Sequence, residues 1–274
     1  MQIKLADSCG FCFGVKRAIR LAESNRDSIT MGELIHNHRE TERLREGFGV
    51  RIANSICEIA SNSRVIIRTH GIERETRAKL GEITQDIIDA TCPYVTKPQK
   101  IAETMSGEGY FVVIYGDRMH PEVKGVLSYA GERAAVVADA KELLSIKTGD
   151  RVALISQTTK AISSFNLIAS ALLERVSELR IFKTICNATF ENQEATRNLA
   201  KEVDMMIIVG GKNSSNTKQL YTIAKEVCSQ SYLIEDATEL QAQWFSGKSV
   251  CGISAGASTP DWIINEVIKK AKDF

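Results

Sequence analysis

The chain has 274 residues, enough for two or three small domains with cores of their own, and its 43% apolar and 25% charged residues exclude a disordered chain or a coiled coil. Its 35 basic and 34 acidic residues are interspersed and sum to +1, which excludes the one-sided field that would draw it to nucleic acid or to an anionic membrane. Any anion site has to be built locally.

The opening MQIKLADSCG lacks the apolar run of a signal peptide, and the longest apolar stretches, FVVIY and MMIIV, fall far below the roughly 20 residues that span a bilayer. A cytoplasmic protein with no membrane contact is expected. In that reducing compartment the seven cysteines are expected as metal ligands, reactive thiols or small core residues, and the odd count agrees.

In chain order, short apolar runs end repeatedly in small or polar residues: ITMGELIHN (29–37), VIIRTHG (65–71), FVVIYGDRMHPE (111–122), VALISQTT (152–159), MIIVGGKNSSN (206–216) and VCGISAGAS (250–258). Each reads as a buried parallel strand running into a loop at its carboxyl end. Helical periodicity lies between them, as in Val15, Ala18, Ile19 and Ala22, or Ile162, Phe165, Ile168 and Leu172. Alternating strand and helix predicts α/β layers with parallel sheets.

Cys12, Cys92 and Cys186 each precede one pair of these strand ends. The first strand end follows by 24, 28 and 28 residues (His36, His120, Ser214), and the second lies 34, 38 and 44 residues further on (His70, Thr158, Ser258). This spacing predicts three similar small domains, over 13–92, 93–185 and 186–274, in a pseudo-threefold trefoil, with 1–12 as an N-terminal segment. Parallel sheets bind ligands at the carboxyl edges of their strands, so three inward-facing domains would present three cysteines and six polar loops to one centre.

Three thiolates suit an iron–sulfur site. A 4Fe–4S cluster usually takes four, and with three its remaining iron is open to substrate as a Lewis acid. Each of the three cysteines also precedes a predicted helix start, where amides and the helix dipole favour thiolate. Cys57, Cys228 and Cys251, in two helical segments and a strand interior, are expected as small buried residues. Cys9 forms C-x-x-C with Cys12; half a zinc site and a thioredoxin-like redox pair both remain open, although no second metal-binding pair accompanies it.

The polar strand ends, His36, His70 and His120 with Ser214, Ser215, Asn216 and Ser258, form a donor set suited to a diphosphate. GGKNSSN opens a helix whose amides can face an oxyanion, and AGAS before Thr259 and Pro260 does likewise. No Walker A sequence occurs, which disfavours nucleotide hydrolysis. His38 has no counterpart at the other strand ends and reads as a surface residue. Glu122 is the carboxylate set among these loops. Beside a cluster and a diphosphate it is the natural proton donor to a leaving oxygen, with Thr158 placed to position it.

The ordered motifs GFCFGVKRAI, ELIHN, THG, DATCPYVTK, GDRMHPEV, SQTT, GGKNSSNT and SAGASTPDW, from Cys12 to Trp262, resemble those of the 4-hydroxy-3-methylbut-2-enyl diphosphate reductases of the non-mevalonate isoprenoid pathway. The resemblance implies an oxygen-sensitive 4Fe–4S cluster on Cys12, Cys92 and Cys186, which would become 3Fe–4S on oxidation. It implies a diphosphate held by His36, His70, His120, Ser214, Ser215, Asn216 and Ser258, with Thr189 lining the pocket. Glu122, His120 and Thr158 would serve the chemistry, a reductive dehydroxylation to isopentenyl and dimethylallyl diphosphate at the open iron. Cys9 is an extra to the family pattern, and Asn192 stands where an arginine is common.

No G-x-G-x-x-G follows a strand, so electrons are expected from a ferredoxin or flavodoxin, and an internal threefold leaves no need for a second copy, which predicts a monomer. Two other readings share the cysteine pattern. A quinolinate-synthase-like 4Fe–4S dehydratase would recognise carboxylates, for which arginine is better shaped than this His, Ser and Asn set. A non-enzymatic iron–sulfur sensor would need neither Glu122 nor the phosphate loops.

Overall fold

The structure is a computed structural model that describes residues 1–274. From the N-terminus the elements are β1 (Gln2–Leu5), α1 (Phe13–Ser24), β2 (Ile29–Met31), α2 (His38–Phe48), β3 (Arg51–Ala53), β4 (Val65–Ile67), α3 (Arg74–Ile83) and β5 (Ile87–Asp89). The middle third holds α4 (Pro93–Gly107), β6 (Phe111–Tyr115), α5 (Pro121–Ala130), β7 (Ala134–Val137), β8 (Arg151–Ser156), α6 (Ile162–Leu173) and β9 (Glu178–Ile181). The last third holds α7 (Asn187–Ala200), β10 (Met205–Val209), α8 (Ser215–Val227), β11 (Ser231–Ile234), α9 (Ala242–Phe245), β12 (Val250–Ala255) and α10 (Asp261–Ala271).

The strands form three four-stranded parallel sheets with the orders β5-β4-β2-β3, β9-β8-β6-β7 and β1-β12-β10-β11. Written this way the three orders are the same path, with β1 standing where β5 and β9 stand. The expected α/β class with parallel sheets is therefore present three times. Two centre strands of each sheet are those read from the sequence as apolar runs. They are apolar at successive positions because helices cover both faces: Met205, Ile207 and Val209 of β10 enter one cluster, while Met206 and Ile208 enter another. In β6, Val112 and Ile114 pack on one side and Val113 and Tyr115 on the other.

By compactness the residues fall into two units. The first comprises Met1–Lys16, Ile35–Arg43 and Asn187–Phe274 and contains the sheet β1-β12-β10-β11; the second comprises Arg17–Leu34 and Leu44–Cys186 and contains the other two sheets. No helix is long and apolar enough to cross a membrane.

Candidate functional site

All three cysteines singled out by spacing sit between an edge strand and a helix. Cys12 immediately precedes α1, Cys92 is the N-cap of α4 with Pro93 as its first residue, and Cys186 immediately precedes α7. Each is suspended by its own backbone amide from a strand-end carbonyl. Cys12 N–H donates to Ala257 O at 3.1 Å, Cys92 N–H to Thr69 O at 3.0 Å and Cys186 N–H to Thr158 O at 3.0 Å. The accepting residue is the neighbour of Ser258, the neighbour of His70, and Thr158 itself, so each cysteine is tied to the second polar strand end of one repeat. All three side chains are half-buried, and none of the seven cysteines is in a disulfide.

In the second unit the same connection reaches a carboxyl group. Glu122, in the first turn of α5, is 1% exposed. The Thr158 amide donates to its Oε1 at 2.6 Å and the Thr158 hydroxyl to its Oε2 at 2.8 Å. Burial pushes this carboxyl up to about 7, and the two hydrogen bonds from Thr158 oppose that rise without cancelling it. His120 caps α5: its Nδ1 accepts the Glu122 N–H at 3.2 Å, which leaves Nε2 to carry the ring proton. The His70 ring stands edge-on to the His120 ring, with centroids 5.3 Å apart and planes at 90°.

In the first unit His36 lies against the glycine-rich loops. Ser258 Oγ donates to the His36 carbonyl at 3.1 Å. Gly211 passes beneath the same carbonyl so closely that a Cβ there would stand 2.5 Å from it. Ser214 is the N-cap of α8 and its side chain accepts from the Thr217 amide, while Ser215 and Asn216 form the first turn. Asn216 is 4% exposed, and neither its Oδ1 nor its Nδ2 has a hydrogen-bond partner within the protein. Buried amides are rarely left so, and this one is suited to a polar ligand. Thr189 is buried in the first turn of α7.

Three expectations change. Cys57 lies in a short 3₁₀ turn, Ile56–Glu58, and is exposed, because that segment is too short to bury a face; Cys228 and Cys251 are buried as expected. The helix after Cys186 begins at the very next residue, Asn187, ahead of the QEATRNLAKEV stretch whose apolar pattern predicts it. Cys9 packs against two hydrophobic clusters of the first unit, and burial, reinforced by Asp261, pushes its thiol up to about 11. That is the setting of a half-buried residue packed against apolar neighbours. Asn192, which stands where the resembled family commonly has an arginine, is buried and accepts a hydrogen bond from Ser8 Oγ at 2.6 Å. His38 is exposed and faces Glu42 at 3.6 Å. Sequence reasoning missed Thr69, and took Gly211 only as part of the anion-facing GGKNSSN loop without its close approach to His36. Thr69 had no signal beyond its place in THG, whereas GG ahead of a helix was a legible one for Gly211.

Comparison with known proteins places the chain among its relatives. The chain is 58% identical over 274 residues to a 4-hydroxy-3-methylbut-2-enyl diphosphate reductase of Wolinella succinogenes, covering 100% of this chain and 99% of that one. An identically named protein of Campylobacter hominis is 57% identical over 270 residues, covering 98% of each. A solved (E)-4-hydroxy-3-methyl-but-2-enyl diphosphate reductase, described as the terminal enzyme of the non-mevalonate pathway, matches at a TM-score of 0.72 and 42% identity, covering 100% of both chains. The Plasmodium falciparum E-1-hydroxy-2-methyl-but-2-enyl-4-diphosphate reductase matches at a TM-score of 0.92 over 98% of this chain and 87% of that one; at 23% identity it speaks for the fold alone. The LytB protein family matches residues 3–272, and the chain belongs to that family.

Proposed function

We propose that the chain catalyses the reductive dehydroxylation of 4-hydroxy-3-methylbut-2-enyl diphosphate, with Cys12, Cys92 and Cys186 as ligands of a 4Fe–4S cluster. Two electrons and two protons enter, the allylic C–O bond breaks, water leaves, and isopentenyl or dimethylallyl diphosphate results according to which carbon takes the second proton. The observation that carries this reading is the hydrogen-bonded run from Cys186 through Thr158 to both oxygens of Glu122, which connects a metal-ligand candidate directly to a proton donor.

The donor set fits the cluster. Three half-buried cysteines at helix starts, each with its backbone amide held by a strand-end carbonyl, offer soft sulfur ligands. When bound, a 4Fe–4S cluster with three protein ligands supplies an open Lewis-acidic iron and a path for electrons.

The chain's own residues do the rest. With its carboxyl near 7, Glu122 keeps a proton available at neutral pH to give to the departing hydroxyl oxygen, and Thr158 holds it in one orientation. The His120 Nε2–H, His36 and His70, the hydroxyls of Ser214, Ser215 and Ser258, the Asn216 amide and the amides opening α8 hold the diphosphate, with Thr189 lining the pocket. Electrons arrive from a small redox protein such as a ferredoxin or flavodoxin, and the enzyme works as a cytoplasmic monomer.

The test is anaerobic turnover with a reduced viologen dye and the hydroxylated diphosphate. Dye oxidation with release of both five-carbon diphosphates is expected. Protein that takes up no iron on anaerobic reconstitution, or that carries iron but leaves dye and substrate unchanged, overturns the reading.

A further inference from the structure

We propose that Glu40, locked to Trp262, is a positioning residue that sets where His36 and Ser258 stand, and so tunes affinity for the diphosphate. The proposal rests on the reading of those two residues as part of the diphosphate pocket.

Nine residues, Ile35–Arg43, pack with the first unit, although the segments on either side of them in sequence belong to the second. Something must hold so short an excursion in register. Asn37 begins it by capping α2, its Oδ1 accepting the Glu40 N–H at 3.0 Å. Glu40 is only 1% exposed. Its Oε2 accepts from Trp262 Nε1 at 3.0 Å and from Arg43 Nε at 3.0 Å, and its Oε1 accepts from Arg43 Nη2 at 2.7 Å. A buried carboxylate is tolerated only when donors surround it, and these three fix its place. Arg39 completes the clamp, lying 4.8 Å over the Trp262 ring and pairing with Glu266 at 2.8 Å.

Trp262 belongs to α10, which starts three residues after Ser258. Glu40 therefore joins the segment carrying His36 to the helix that follows Ser258, across 222 residues of sequence. Both ends of that link also meet directly, through Ser258 Oγ on the His36 carbonyl and Gly211 beneath it. The clamp touches no reacting atom. Its loss should let the His36 loop drift over the glycine loops without altering the proton donor, so ground-state binding suffers and the chemical step does not.

The experiment measures steady-state kinetics on the iron-loaded enzyme, with W262F, which deletes the indole donor yet keeps a ring for Arg39, and E40Q, which removes the charge that Arg43 grips. His36→Ala serves as the reference. A KM for the hydroxylated diphosphate raised about tenfold, with kcat within about twofold of the parent and the cluster's visible absorption intact, is expected for W262F, with E40Q following in the same direction. An unchanged KM in both variants, while His36→Ala raises it, overturns the clamp and spares the pocket. An unchanged KM in His36→Ala overturns the pocket reading and the clamp with it. Should W262F fail to fold, E40Q alone decides on the same criterion.

Discussion

Thr158 holds Glu122 by both oxygens, amide to Oε1 at 2.6 Å and hydroxyl to Oε2 at 2.8 Å, in a place where the carboxyl is 1% exposed. Burial wins over these two hydrogen bonds and lifts the group from 4.5 to about 7. Between those values the folded protein binds more protons than the unfolded chain, so stability is lost as pH rises through that window. The loss reaches about 3 kcal/mol above the upper value. Glu122→Gln abolishes the dependence. The parent and the variant should unfold alike at about pH 4, below the unfolded value, and the variant should be the more stable at about pH 8. Urea unfolding at the two pH values, under nitrogen, checks it; an equal pH slope in both proteins refutes a raised Glu122.

The same substitution addresses catalysis. Removing a general acid typically costs about 100- to 10,000-fold in rate. E122Q should therefore bind iron and the diphosphate and turn over at that reduced level, and the parent's kcat should fall as pH climbs through about 7. Normal turnover by E122Q would remove the carboxyl from the mechanism.

The cysteines divide into two sets by their surroundings. Cys12, Cys92 and Cys186 stand at helix starts, whereas Cys9, half-buried like them, packs against two hydrophobic clusters and its thiol is raised to about 11. Serine at any of the first three should abolish the cluster's visible absorption after anaerobic reconstitution, and serine at Cys9 should leave it. A Cys9→Ser protein that takes up no iron would return the C-x-x-C pair to the ligand set.

What could be read from the sequence was set by local signals. MMIIV and FVVIY announce strands because both faces of each centre strand are buried, and Cys92 announces a helix start because Pro93 follows it. The outer strands were silent: β3 and β5 have three residues each and are partly exposed, so neither a long apolar run nor alternation marks them. In the site, the histidines, serines and Glu122 were legible as chemistry-bearing residues at strand ends. The hydrogen bonds that hang each cysteine from a strand-end carbonyl were not, since a backbone amide and carbonyl carry no residue identity. The link from Glu40 to Trp262 was equally hidden, joining two helix surfaces across 222 residues with no motif to mark it.

Gly211 tests the close approach at His36. A methyl group there would sit 2.5 Å from the His36 carbonyl carbon's oxygen, a backbone atom that cannot rotate away as a side chain could. Gly211→Ala should destabilise the protein by about 1–3 kcal/mol and raise KM for the diphosphate. Thermal unfolding and kinetics measured together check it; wild-type values in both would mean the loop opens without cost.

The N-terminal strand carries the last prediction. β1 is the edge of the third sheet, paired with β12 in parallel from Gln2 opposite Val250 to Leu5 opposite Ile253. Beyond it the ladder continues into the loop that bears Cys12, through Ala6 N–H on Ile253 O at 2.9 Å, Gly10 N–H on Ala255 O at 3.3 Å and Cys12 N–H on Ala257 O at 3.1 Å. β5 leads to Cys92 and β9 to Cys186 in the same way, so β1 is the strand that sets the register of the first cysteine. Deleting residues 1–5 removes that guide but no proposed ligand. The truncated protein should retain its α/β circular dichroism, since the other two sheets owe nothing to β1, and should bind iron weakly, with Cys12 alkylated faster than in the full chain. Full iron occupancy after truncation would show that the bonds from residues 6–12 to the β12 strand end hold Cys12 without the strand before them.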